Sequence, residues 1–219
     1  MKLGALHYPI EDSQGNPIPF DSLFIPYIYK EIYFDGVYTD ILNQRKDMVI
    51  MDVGANIGVV TDHMRTHAKK IYSIEPSSEH FEALKTNKEF NHWDNVEVFK
   101  LALADKNGEM TLNHNPANRT CNSLTMDFGK GGEVVKTQTF DTFMEENKIE
   151  EVDFCKFDTE NSEDMILRSE GFRKVAPKIK AIEVAFHNAE WPKLAQYMES
   201  LGYKGRRYPC AEILVLFSR

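Results

Sequence analysis

The segment Asp52-Val53-Gly54-Ala55-Asn56-Ile57-Gly58 limits the possible folds of this chain more than any other. It follows the apolar run Met48-Val49-Ile50-Met51 and opens a helical stretch over residues 59–68. An apolar run that ends in a glycine turn and leads into a helix is the opening of a strand–turn–helix unit. Parallel strands need long crossovers, and those crossovers cover the sheet with helices. The segment therefore predicts an α/β fold with a ligand crevice above the glycine turn.

The rest of the chain repeats the alternation. Ile71-Tyr72-Ser73-Ile74 predicts a second strand stopped by Glu75-Pro76, and Ser77 caps the helix that carries Phe81 and Leu84. A third strand begins at Val96 and ends near Leu103, and a helical turn holds Phe140, Phe143 and Met144. The fourth strand covers residues 152–157 and the fifth residues 179–186. Between them Ser162 reads as an N-cap and Gly171 as the stop of one helix. Trp191, Leu194, Ala195, Met198 and Leu201 recur at helical spacing. Two last strands, near 203–208 and 213–217, share a turn with Pro209 that is too short for a helical crossover. The sum is a doubly wound, mostly parallel seven-stranded sheet with an antiparallel C-terminal strand. Residues 1–46, with Pro9, Pro17 and Pro19, read as an irregular or helical cap, and residues 47–219 as the main domain. The polar residues 113–132 read as a long loop beside the site.

Composition narrows the partners. A net charge of −8 argues against a sequence-independent nucleic-acid binder. Lys204, Arg206 and Arg207 form only a small basic patch, read as a solvated surface. The 3 cysteines show no CxxC spacing, and no apolar run reaches the ~18 residues of a membrane span. These features predict a soluble cytoplasmic protein with no membrane or nucleic-acid partner.

Candidate site residues cluster at the carboxyl ends of the strands. A dinucleotide turn wants a third glycine where Asn56 stands, because pyrophosphate needs the room. S-adenosylmethionine carries no phosphate, so Gly54 and Gly58 serve as close-approach positions and Asp52 and Asn56 as contacts near its methionine end. Glu75, about 20 residues on, suits the ribose hydroxyls. Asp105, after the third strand, is a candidate partner of the adenine amino group or a turn former.

With Lys30-Glu31-Ile32-Tyr33, Asp52 to Gly58, Glu75-Pro76, Ala102-Leu103-Ala104-Asp105, Phe140-Asp141 and Asp153-Phe154-Cys155-Lys156-Phe157-Asp158, the chain resembles the FkbM family of methyltransferases. The order of these landmarks covers roughly residues 27–190. One departure is Asn161, where the family has glycine; asparagine is the side chain that best tolerates the left-handed backbone. The resemblance implies a Rossmann-like class I fold, S-adenosylmethionine as cofactor, and O-methylation of a hydroxyl on a sugar, polyketide or other small metabolite. Asp158 and His187 are the candidate catalytic residues, with Asp158 serving as a base or a donor contact. Arg119 and Ser123 are candidate acceptor contacts. Asp158, Glu183 and His187 are the acid–histidine grouping that strand ends bring near the site, and the expectation is no metal. Two other readings stay open, an NAD-dependent oxidoreductase and a non-catalytic adenosylmethionine-binding domain. The oligomeric state is not set by these residues.

Overall fold

The computed structural model describes residues 30–32, 36–118, 120–187, 191–208 and 211–219. Strands β1 (Met48–Val53), β2 (Ala68–Ile74) and β3 (Val96–Phe99) build one flank of the main sheet. Strands β7 (Val152–Phe157), β8 (Ile179–Ala185), β9 (Lys204–Tyr208) and β10 (Ala211–Ser218) build the other. The order across this 7-stranded sheet is β3-β2-β1-β7-β8-β10-β9. Neighbours from β3 through β8 pair in parallel, whereas β10 runs antiparallel to both β8 and β9. The doubly wound sheet with its antiparallel C-terminal strand is as expected. Pro209, which the sequence placed in the last turn, lies outside the described residues.

Both faces of the sheet are covered, as a parallel sheet requires. Met51, Cys155, Phe157 and Val184 pack on one face against α4 (Phe140–Glu146), α6 (Glu170–Val175) and α7 (Trp191–Ser200). Phe140, Phe157 and Phe172 meet there with ring centroids 5.6–6.3 Å apart. Each such fully buried ring contributes about 1.5–3 kcal/mol. Ile50, Phe154 and Ala181 face the other way, towards α2 (Val59–Arg65) and α3 (Ser78–Phe90). Ile32, Val37, Tyr38 and the short helix α1 (Thr39–Leu42) join this second layer, so the described part of the N-terminal cap shares the core of the main domain.

Three expectations change. The third strand does not run on to Leu103: β4 (Ala102–Leu103) leaves the main sheet and joins β5 (Gly108–Asn113) and β6 (Gly132–Gln138) in a 3-stranded sheet of order β4-β6-β5. The residues read as a loop are thus the tip of a hairpin, with a strand on each side. Residues 162–171 do not form one helix. Ser162 precedes a short α5 (Glu163–Leu167) without a side-chain cap bond, and Ser169 caps α6 by accepting from the Phe172 amide. Gly171 is buried inside α6, where an added Cβ would sit 2.5 Å from Asp141. Ser77 caps α3 as its sequence position predicted, accepting from the His80 amide. Among the described residues no helix is long and apolar enough to cross a membrane.

Candidate active site

A polar row runs across the middle of the sheet on the face of α2. Strand register sets Ser73 beside Asp52, Asp52 beside Lys156 and Lys156 beside Glu183. All four are buried. Asp52 accepts hydrogen bonds from Thr61 Oγ1 at 2.6 Å and from Lys156 Nζ at 3.1 Å. Lys156 also donates to the Gly54 carbonyl at 3.0 Å and lies 3.7 Å from Asp158. Burial alone would lower the lysine pKa, but Asp52 and Asp158 outweigh it and hold the ammonium above its ordinary range. Burial pushes the Glu183 carboxyl up to about 8.

Above this row opens a cavity of about 390 Å³, a size that suits a small ligand. Over β1 and β2 its wall holds the Gly54–Asn56 turn, apolar residues such as Ile57 and Ile74, and the Glu75 carboxylate. Gly54 has φ +81, and an added Cβ would lie 1.8 Å from the Asp158 carbonyl, so no other residue fits. Asn56 takes the left-handed conformation at φ 52 and its amide donates to Glu75 Oε2 at 2.8 Å. The Ser77 amide donates to Glu75 Oε1 at 2.9 Å. A carboxylate oxygen has two lone pairs, so each oxygen of Glu75 retains one for a ligand in the cavity that it lines.

Over β7 and β8 the wall is made of ionisable side chains. Asp158 follows β7 and His187 follows β8, with His187 Nε2 3.6 Å from Asp158 Oδ1 and 3.6 Å from Glu160 Oε2. His187 Nδ1 is 3.6 Å from Glu163 Oε1. Glu163 in turn accepts from the Thr159 amide at 2.6 Å and its hydroxyl at 3.0 Å. Burial would lower the His187 pKa, but Glu163, Asp158 and Glu160 raise it to about 9. Burial, reinforced by Asp158, pushes Glu160 up to about 7. Cys121 lines the same wall from the β5–β6 hairpin, and burial beside Glu160 raises its thiol to about 12. A thiol so raised stays protonated and is no nucleophile.

The sequence-predicted residues divide accordingly. Gly54, Asn56, Glu75, Asp158 and His187 line one cavity. Asp52 is fully buried beneath it and is already held by Thr61 and Lys156. Gly58 is the N-cap of α2 at φ +95, and its missing side chain makes room for Leu84 and Trp93. Asp105 is exposed and outside the cavity wall. Ser123 is buried, and its hydroxyl donates to the Glu160 carbonyl at 2.5 Å, so it braces the turn after β7. Arg119 lies outside the described residues. Glu160, Glu163, Cys121 and Tyr38 were not singled out in the sequence. The run of acids at 158, 160 and 163 directly after a strand was the signal for the first two. Lys204, Arg206 and Arg207 are exposed on β9, where Arg206 pairs with Asp40 at 2.8 Å.

Comparison with known proteins bears on the fold and the family. AmbE, an AMB antimetabolite synthetase of Pseudomonas aeruginosa, is 31% identical over 110 residues, which are 49% of this chain and 5% of that protein. The chain thus matches only a small part of that relative's length. A precorrin-6y C5,15-methyltransferase of Geobacter metallireducens superposes with a TM-score of 0.52 at 12% identity, over 84% of this chain and 86% of that one. An rRNA methylase of Streptococcus thermophilus gives 0.52 at 10% identity, over 84% and 94%. At these identities the likeness shows the fold, that of Rossmann-like class I methyltransferases. The FkbM methyltransferase domain matches residues 52–204, and the chain therefore belongs to that S-adenosylmethionine-dependent family.

Proposed function

We propose that this chain transfers the methyl group of S-adenosylmethionine to a hydroxyl of a small metabolite such as a sugar or polyketide. The observation that carries the reading is the adjacency, in one cavity, of Glu75 with the Gly54–Asn56 turn and of Asp158 with His187. Glu75 has the free lone pairs to take both ribose hydroxyls, and the turn brings main chain close to the methionine portion. Methyl transfer from a sulfonium is an in-line displacement, so the protein chiefly aligns donor and acceptor and excludes water. Asp158 stands where the acceptor oxygen would enter and either orients its hydroxyl or takes its proton. His187, a cation at neutral pH, holds Asp158 and Glu160 together.

The size of the cavity and the net charge of −8 support a small acceptor over a nucleic acid. The partial likeness to an antimetabolite synthetase supports the same choice. A setting in the cytoplasm is part of the proposal, on the strength of its cysteine usage. Titration calorimetry against S-adenosylmethionine, S-adenosylhomocysteine and NAD tests the donor. Binding of the first two without NAD is expected; NAD binding in their place overturns the reading. A panel of hydroxylated sugars and polyketides, scored by mass for one added methyl, tests the acceptor.

A further inference from the structure

We infer that the wall over β7 and β8 is a divalent-cation site, with Asp158, Glu160 and His187 as its ligands. One ligand atom from each residue lies within 4.8 Å of the other two, and both contacts of His187 Nε2 measure 3.6 Å. An ion bound at ~2.1 Å puts neighbouring ligand atoms roughly 3.0–3.4 Å apart, so a contraction of a few tenths of an ångström closes those two edges. Two carboxylates and an imidazole that releases its Nε2 proton to water as the ion binds match the charge of a dication. A nitrogen ligand beside two carboxylates favours manganese, iron or zinc over calcium.

The surroundings fit a metal site better than a bare acidic patch. Glu163 backs the far nitrogen of His187 and is itself fixed by Thr159, the carboxylate–imidazole arrangement that orients a metal-bound histidine. The Nδ1 of His187 is buried and has no hydrogen bond among the described residues, so approach of Glu163 to bonding distance is still open to it. A second polar group waits in the same wall: Ser162 is 1% exposed, lines the cavity, and its Oγ has no hydrogen-bond partner among the described residues. Glu160 and Asn161 both take positive φ, 50° and 75°, and Ser123 and Thr125 hold their carbonyls, so the turn that carries Glu160 is built in place. The sequence had grouped Glu183 with Asp158 and His187 and expected no metal. In the structure Glu183 sits outside the cavity wall and Glu160 takes its place. All three ligands are half-buried, which leaves coordination positions open to water or to an oxygen of the acceptor.

The test uses Mn²⁺ and the full chain after chelator treatment, with neither methyl donor nor acceptor present. Its failure therefore leaves the methyl-transfer reading standing. Loss of the free Mn²⁺ paramagnetic signal should report one ion per chain, and Mn²⁺ should raise Tm. Glu163→Gln, which leaves all three ligands in place, should weaken binding about ten-fold. His187→Ala and Asp158→Asn should weaken it more and abolish the rise in Tm. Circular dichroism identifies any variant that fails to fold, and the isosteric Asp158→Asn and Glu163→Gln then carry the test. Absence of Mn²⁺ binding overturns the inference, and so does binding that the folded variants leave unchanged.

Discussion

The two walls of the cavity are built from different materials. Over β1 and β2 the chain offers a glycine turn, apolar side chains and one carboxylate held by two amides, all within one stretch from Gly54 to Ser77. Over β7 and β8 it offers Asp158, Glu160 and His187, backed by Glu163 and braced by Ser123 from a hairpin nearly forty positions away. A wall built on a tight turn with one fixed carboxylate suits a ligand that never changes, since its shape depends on the positive φ of Gly54 and Asn56. A wall of ionisable side chains suits chemistry, since charge and protonation can be adjusted residue by residue. The polar row beneath supports both.

The largest effect should come from removing that shared support. Lys156→Met leaves the buried Asp52 carboxylate without its cation and should cost about 3–5 kcal/mol in denaturant unfolding. A neutral outcome would mean that the two walls do not rest on one base. Asp158→Asn should next lower turnover by about 10²-fold while the affinity for S-adenosylmethionine holds. Lost affinity with turnover intact at saturation would move Asp158 to the donor wall and break the comparison. Glu75→Ala should do the converse. It should weaken donor binding by about 1.5–3 kcal/mol in calorimetry and spare turnover at saturating donor.

A subtler effect concerns pH. Burial raises Glu183 from 4.5 to about 8, so the stability linked to its neutral form is complete below pH 4.5 and is lost as pH rises through 8. Melting across that window should show the decline in the wild type and a flatter profile in Glu183→Gln; identical profiles would refute the assignment. The smallest change expected is that of Asn161→Gly. Glycine is at ease at φ 75°, so the variant should match or exceed wild-type stability by less than about 1 kcal/mol. A clear loss of stability would show that the Asn161 side chain, not only its backbone, holds the turn.

The wall over β1 and β2 was legible in the sequence because its signals are local. An apolar run, a glycine turn and a strand-end acid all lie within about thirty residues, and the C-terminal hairpin betrayed itself by a connection too short for a helix. Asp52 was misplaced for a reason of direction. It shares a register row with Ser73 and Lys156, so its side chain points into the layer of α2 rather than up into the crevice. The strands β5 and β6 stayed hidden because only Leu112 and Val135 are deeply buried apolar positions, and the exposed Val134 beside Val135 blurs the alternation of β6. The pairing of Glu160 with His187 joins two strand ends through the fold, and no spacing along the chain announces it.

The small sheet has a consequence for how such a protein can diversify. Among the described residues β4, β5 and β6 share no hydrogen-bonded ladder with the main sheet, yet the hairpin tip supplies Asn118, Cys121 and Leu124 to the cavity. The hairpin is thus a replaceable face-plate. Its tip can be lengthened, shortened or exchanged to reshape the mouth of the cavity, while the turn over β1 and β2 and the acids over β7 and β8 stay where they are.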